Sequence, residues 1–258
     1  MLREARMVVE GSTDFRTVFL SDLHLGWGKV SESHLLDFLE GLRTRSLYLV
    51  GDVLEWLYKP SGVVGPAFDR FASVLGGLQS RGTQITWISG NHDQRVYLGN
   101  QETIEIRRYL PSIQIRTHER YTAGNGKTYL VVHGDIYDYF APRRISSKQL
   151  VAERLYPLYV RLLDRFPSTR LVRAMQARKN RDSLLAQHAT RFKELMLELA
   201  HMHDCQGVIC GHIHVPECDC ANNLEYLNCG DWLEHRSYVA ETADGELTLK
   251  NSMKGCRR

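Results

Sequence analysis

Five short apolar runs in this chain each end in residues that bind metals. They are Phe19-Leu20-Ser21-Asp22-Leu23-His24, Leu47-Tyr48-Leu49-Val50-Gly51-Asp52, Trp87-Ile88-Ser89-Gly90-Asn91-His92-Asp93, Leu130-Val131-Val132-His133-Gly134-Asp135 and Val208-Ile209-Cys210-Gly211-His212-Ile213-His214. A carboxylate has no stabilising partner inside a sheet, but at the C-terminal end of a strand it can hold a cation. Asp22 and His24 lie two residues apart just past a strand, and His212 and His214 repeat that spacing. Asp, Asn and imidazole donors suit Mn²⁺, Fe or Zn²⁺ without discriminating among them, and we expect Mn²⁺. One Asp, His, Asp, His set and one Asp, Asn, His, His set would make two adjacent sites, with Asp52 as the bridge. Two divalent ions about 3.5–4 Å apart can clamp a phosphoryl oxygen during an in-line displacement. One such histidine alone would be an ordinary core or surface residue. Seven suitable ligands at five strand ends read as a built site, and a metal-free scaffold would have lost some of them.

Positioning these residues takes a regular frame. Thr17–Leu20 reads as a strand, followed by a helix over Ser31–Leu42 with Leu35, Leu36, Leu39 and Leu42 at helical spacing and Ser31 able to cap. The strand ending at Asp52 comes next. A second helix then carries Phe68, Phe71, Val74, Leu75 and Leu78 and stops at Gly82, and Ile85–Ile88 is a third strand. Alternating strands and helices predict a parallel sheet with ligands at the carboxyl ends of its strands. Beyond residue 110, Ile113–Arg116 and Lys127–Val132 are strand-like, with Gly124-Asn125-Gly126 as a hairpin turn just before the second. Residues 141–200 turn helical, one face carrying Leu150, Leu155, Leu158, Leu162 and Leu163 and another Leu185, His188, Phe192, Met196 and Leu199. Strands return at Gly207–Cys210, Glu217–Cys229 and Ser237–Lys250, the last turning at Asp244-Gly245. The expected organisation is a catalytic core of residues 1–140 and 201–258, with a helical insertion over 141–200 that caps it.

Composition narrows the class. With 258 residues, 43% apolar and 24% charged, the chain can bury a substantial core and has the balance of a soluble globular protein. Met1–Arg16 carries Arg3, Glu4, Arg6, Glu10 and Asp14 without an apolar run, so we expect no signal peptide and a cytoplasmic protein. Cys205, Cys210, Cys218, Cys220, Cys229 and Cys256 form no Cys-x-x-Cys pair, which argues for reduced thiols over a zinc ribbon. Residues 141–200 hold 13 Arg and Lys against 5 Asp and Glu, in a chain whose net charge is only +3. A basic insertion on an acidic core suggests an anionic ligand. Arg178, Lys179 and Arg181 could also meet an anionic membrane surface, giving peripheral attachment. No basic tract interleaved with aromatics is present, which makes nucleic acid the weaker partner.

Taken together, Asp22-x-His24, Gly51-Asp52, Gly90-Asn91-His92-Asp93, His133-Gly134-Asp135 and Gly211-His212-x-His214 resemble, in order, the five blocks of the calcineurin-like metallophosphoesterases. The resemblance implies a four-layer α/β/β/α sandwich of two mixed sheets with a dinuclear site at its edge. It also implies Asp22, His24, Asp52 and His214 on one metal and Asp52, Asn91, His133 and His212 on the other. His92 would be the imidazole beside the scissile phosphate, as general acid or charge stabiliser, with Asp93 and Asp135 orienting histidines. Ser21–Gly26, Val50-Gly-Asp-Val-Leu-Glu-Trp56, Cys210–His214 and Asn228-Cys-Gly-Asp-Trp232 are similar to the UDP-2,3-diacylglucosamine hydrolase group. For that group the resemblance implies cleavage of a UDP-linked, acylated glucosamine to UMP and the lipid sugar 1-phosphate in lipid A synthesis, on the cytoplasmic face of the inner membrane. The best-known branch of the group carries Arg where this chain has His92, the residue of the wider superfamily. A second substrate class therefore stays open: a phosphomonoester, a cyclic nucleotide or a nucleic acid phosphodiester.

Overall fold

The computed structural model describes residues 15–26, 32–55, 66–93, 106–140, 183–221 and 223–252. The chain divides into two units, Met1–Gly134 with Leu197–Arg258, and Asp135–Met196. In the first unit the short apolar runs build two mixed sheets. β1 (Phe15–Leu20), β2 (Thr44–Val50), β3 (Gln84–Ile88) and β4 (Gln114–Arg116) run parallel. β10 (Ser237–Glu241) and β11 (Leu247–Asn251) extend that sheet antiparallel, in the order β11-β10-β1-β2-β3-β4. The second sheet has the order β5-β6-β7-β9-β8, from β5 (His118–Thr122), β6 (Thr128–Val132), β7 (Gly207–Cys210), β8 (Glu217–Ala221) and β9 (Leu224–Asn228). Its three central strands are parallel to one another and the two outer ones antiparallel.

The inner strands of both sheets are buried on both faces, which is why they read as continuous apolar runs. On β1, Val18 and Leu20 face one core and Phe19 the other; on β2, Leu47 and Leu49 oppose Tyr48 and Val50 in the same way. The first core is shared with helices α1 (Glu32–Gly41) and α2 (Pro66–Ser80) through Leu35, Leu39, Phe71 and Leu75, as their helical spacing predicts. The second core lies between the sheets, where Phe19, Tyr48, Val50 and Ile88 meet Tyr129, Val131, Ile209 and Leu227. Each such fully buried side chain contributes about 1.5–3 kcal/mol of transfer free energy, so the strand ends are carried on a stiff frame.

Two details differ from the sequence reading. The Gly124–Gly126 turn exists, closed by Ala123 N–H to the Lys127 carbonyl at 2.9 Å, but it joins β6 to His118–Thr122. That strand shows alternating half-exposed and exposed residues on a sheet edge and carries no apolar signal. The strand at Gln114–Arg116 instead pairs with β3 in the other sheet. Within the second unit, α3 (Tyr137–Phe140) packs on the first part of α4 (Ser183–Met202), with the Tyr137 ring 5.3 Å from Phe192 and 5.2 Å from His188. Phe192 and Met196 are buried, whereas the cap at Ser31, the Leu150–Leu163 face, Arg178, Lys179, Arg181 and Cys256 lie outside the described residues. No described helix is long and apolar enough to cross a membrane.

Candidate metal centre

The topology gathers the carboxyl ends of three parallel strands from each sheet. β1, β2 and β3 of the first sheet deliver Asp22 and His24, Asp52, and Asn91 with His92. From the second sheet, β6, β7 and β9 deliver His133, His212 with His214, and Asp231. Backbone hydrogen bonds lace these ends together: Asp22 N–H to Gly51 O at 3.1 Å, His24 N–H to Asp52 O at 2.9 Å and Gly211 N–H to His133 O at 3.0 Å.

The chain turns sharply to aim these side chains. Asp22, His24, Asp52, His212 and His214 all have positive φ, between 44° and 69°. That left-handed region disfavours side chains and persists only where the surroundings enforce it, a pattern concentrated at functional sites. Close approach makes demands as well. A Cβ on Gly211 would fall 1.8 Å from Ser21 Oγ and 2.4 Å from Asp22 Oδ2, and one on Gly90 would fall 2.2 Å from Asp52 Oδ1.

The predicted ligands come together in two groups. Donor atoms of Asp22, His24 and His214 lie within 4.8 Å of one another, and so do those of Asp52, His133 and His212. Asp52 stands between the groups: its Oδ2 is 3.2 Å from His133 Nε2 and 4.0 Å from His24 Nε2. Asp22 Oδ2 accepts the His212 N–H at 3.0 Å and meets the Ser21 hydroxyl at 2.5 Å, which leaves Oδ1 facing His214 Nε2 at 3.2 Å. Burial alone would raise the Asp22 carboxyl, but the His214 imidazole beside it outweighs burial and holds the pKa at about 2. Asp52 is likewise held well below the usual carboxylate range, burial being overcome by His133 and then His92.

Whether a divalent ion fits can be judged from the donors themselves. Asp22 Oδ1 and Asn91 Oδ1 are buried acceptors with no hydrogen-bond donor among the described residues. The histidine tautomers are set from behind. His133 Nδ1 lies 2.9 Å from the Val50 carbonyl and must donate to it, so the Nε2 lone pair turns toward Asp52. His24 Nδ1 lies 2.8 Å from Glu55 Oε2, with the same consequence for its Nε2. Buried oxygen acceptors and inward imidazole lone pairs, with no cysteine in either group, fit a divalent ion of the Mn²⁺, Fe or Zn²⁺ kind.

A third group, His24, Glu55 and His92, is of another sort. Glu55 Oε1 accepts from His92 Nδ1 at 2.9 Å as Oε2 accepts from His24, so this buried carboxylate is already satisfied as a clamp between two rings. Burial would raise its pKa, yet the hydrogen bonds from His24 and His92 hold it low and ionised. Glu55 was missed as a site residue although it stands three residues after Asp52 in a quoted motif. The signal was that spacing; nothing in the sequence says which rings the carboxylate meets.

The expectation that Asp93 and Asp135 orient histidines requires correction. Asp93 is fully buried and accepts from Val53 N–H at 2.8 Å, Gly90 N–H at 2.6 Å and Trp87 Nε1–H at 3.1 Å, so it orders the loops after β2 and β3. Burial, followed by the neighbouring Asp52 charge, pushes its carboxyl up to about 6. The Asp135 carboxylate meets no histidine among the described residues; its backbone carbonyl accepts the Asp138 N–H. His92 places its backbone N–H on Asp52 Oδ1 at 2.9 Å and its Nε2 at 3.9 Å from Asp52 Oδ2, with 14% of the side chain exposed.

Against known proteins, a family model described as calcineurin-like phosphoesterase matches residues 15–216. UDP-2,3-diacylglucosamine hydrolase of Porphyromonas gingivalis (strain ATCC BAA-308 / W83) is 24% identical over 262 residues, spanning 92% of this chain and 97% of that protein. Among solved structures, an archaeal phosphodiesterase aligns at 10% identity with a TM-score of 0.46, over 91% of this chain and 98% of its own. Phosphopantetheinyl hydrolase from Mycobacterium tuberculosis aligns at 18% identity with a TM-score of 0.44, over 86% and 91%. The family match runs from the first residue of β1 to just past His214 and takes in every residue of the two donor groups, and the chain belongs to the calcineurin-like phosphoesterases, a family of metal-dependent hydrolases.

Proposed function

We propose that this phosphoesterase is a two-metal pyrophosphatase acting on a nucleotide-linked lipid sugar, cleaving UDP-2,3-diacylglucosamine to UMP and the lipid sugar 1-phosphate. The observation that carries the reading is the match along nearly the whole length of both chains to the Porphyromonas gingivalis protein of that name. In this reading Asp22, His24, Asp52 and His214 hold one ion, and Asp52, Asn91, His133 and His212 the other, with Mn²⁺ as the working ion. The position of Asp52 Oδ2 between His24 and His133 supports its role as the bridge. Ions so held supply positive charge to phosphoryl oxygens and lower the pKa of water.

The remaining chemistry belongs to His92 and Glu55. With Nδ1–H fixed on Glu55, the second ring nitrogen, Nε2, lies at the edge of the centre, on a partly exposed ring. Burial would lower the pKa of His92, but the Glu55 hydrogen bond and then the Asp52 charge raise it above the ordinary imidazole value, which favours the protonated ring. In that form Nε2 can pass its proton to the leaving oxygen, or stabilise the charge there, which as general acid catalysis contributes about 10²–10⁴-fold.

The cap role of residues 141–200, a cytoplasmic location and salt-sensitive attachment to an anionic membrane belong to the same proposal. Replacing that segment with a short linker should abolish lipid-sugar turnover while a small diester is still cleaved. His92 favours one competing reading, a different phosphoester substrate, because the best-known diacylglucosamine branch carries Arg there. The deciding experiment assays the Mn²⁺-loaded protein on UDP-2,3-diacylglucosamine, a p-nitrophenyl phosphodiester and an oligonucleotide. Preference for the first by kcat/KM supports the proposal; preference for either of the others overturns the substrate while leaving the phosphoesterase.

A further inference from the structure

The turn after β9 contains a buried carboxylate that the two donor groups do not use. Asp231 is 1% exposed. Its Oδ1 accepts the backbone N–H groups of Glu234 at 2.5 Å and His235 at 3.1 Å, which caps the turn and leaves Oδ2 for other partners. The turn itself is fixed from both sides. Trp232 N–H reaches the Asp22 carbonyl at 3.2 Å, and Ser237 N–H reaches the Asp231 carbonyl at 3.1 Å. Oδ2 then lies between two imidazoles, 2.6 Å from His235 Nδ1 and 3.9 Å from His214 Nδ1. The other nitrogen of His214, Nε2, is the one that faces Asp22.

We infer that Asp231 is the positioning residue for His214, holding its proton on Nδ1 so that Nε2 is the nitrogen offered to a metal, and that His235 anchors the carboxylate from the solvent side. The inference rests on the reading of His214 as a ligand. The Asp231–His214 contact, at 3.9 Å, is an electrostatic one rather than a hydrogen bond, and it places an acceptor behind the ring as the Val50 carbonyl and Glu55 do for His133 and His24 at 2.9 and 2.8 Å. A carboxylate on the far nitrogen of a metal-binding imidazole fixes the ring's tautomer and orientation and makes it a stronger donor. His214, a third of whose side chain is exposed, has more freedom to lose than the buried His24 and His133.

The informative substitution is Asp231→Asn. The amide oxygen can keep both backbone N–H bonds, so the turn retains its cap. The amide nitrogen then replaces Oδ2 and presents hydrogens to both rings, which drives the His214 proton onto Nε2 and blocks the ligating atom. Mn²⁺ binding to metal-free protein is measured by titration calorimetry for wild type, Asp231→Asn and His214→Ala, beside the melting temperature of each metal-free form. Compared at a pH high enough that His235 is neutral, Asp231→Asn should melt close to wild type yet weaken one of the two Mn²⁺ sites by roughly 10–100-fold, the usual effect of removing such a partner. Wild-type affinity at both sites in Asp231→Asn, with one site lost in His214→Ala, overturns the inference. Wild-type affinity in His214→Ala overturns the ligand reading instead. Should Asp231→Asn fail to fold, ¹⁵N correlation spectra of the Zn²⁺-loaded wild-type protein decide: His214 protonated at Nδ1 is expected, and metal on Nδ1 overturns the inference.

Discussion

Replacing Glu55 by Gln tests the centre at its most economical joint. One carboxylate takes an Nδ1–H from His24 at 2.8 Å and another from His92 at 2.9 Å, and its side chain is wholly buried, so no solvent can stand in for it. Glutamine has a single acceptor oxygen. One imidazole can keep its partner, and the other then meets an amide N–H₂, donor against donor, and must change tautomer or turn away. A hydrogen bond to a charged group contributes about 1.5–3 kcal/mol. At tenfold per about 1.36 kcal/mol, losing it from His92 lowers kcat by roughly 10- to 150-fold. Loss at His24 would appear instead as weaker metal binding, by roughly 10–100-fold. The assay is steady-state cleavage of a small phosphodiester by E55Q across a Mn²⁺ titration, which separates a fall in kcat at saturating metal from a rise in the metal requirement. The reasoning fails if E55Q matches wild type in both quantities.

Asp52→Ala should lose both ions by elemental analysis, or nearly all turnover, because each group then lacks its shared oxygen; two bound ions with normal kcat would remove Asp52 as the bridge. His92→Asn should keep full metal occupancy while kcat falls about 10²–10⁴-fold, the range for a general acid; an apoprotein would make His92 a ligand. Gly211→Ala drives a methyl group into Ser21 Oγ and Asp22 Oδ2, so calorimetry should show weakened metal binding together with a lower melting temperature. His235 tests the pH dependence. Its pKa is raised above 6.5, first by the Asp231 hydrogen bond and against the opposing effect of burial. A raised folded-state pKa means that the stabilisation is fully present below the unfolded value and is lost as pH rises through the folded one. Metal-free wild type should therefore melt above His235→Gln at about pH 6 and converge with it at high pH; a constant difference would exclude the linkage.

Much of this protein is legible along the chain because strand ends in an open α/β sheet must carry the ligands. The continuous apolar runs at β1, β2, β3, β6 and β7 locate the strands, and Asp, Asn and His immediately after them name the donors, since a buried run has no other use for such residues at its end. The helix at Glu32–Gly41 was visible for the same kind of reason: Leu35 and Leu39 repeat at the spacing of one buried face. What the sequence could not say is which groups lie behind the donors. Glu55 meets two rings from residues 24 and 92, and Asp231 faces the ring of residue 214, through contacts that exist only once separate strand ends converge. Asp93 stood beside a histidine in sequence and yet serves backbone N–H groups, because the tight turn that exposes the His92 ring points the next side chain inward. The strand His118–Thr122 was hidden because, on a sheet edge, it is held by backbone pairing and the single Tyr121 ring, and its polar residues carry no record of that. Local chemistry is written in the residues; the partner 17 to 37 residues away is decided by the sheets that bring it there.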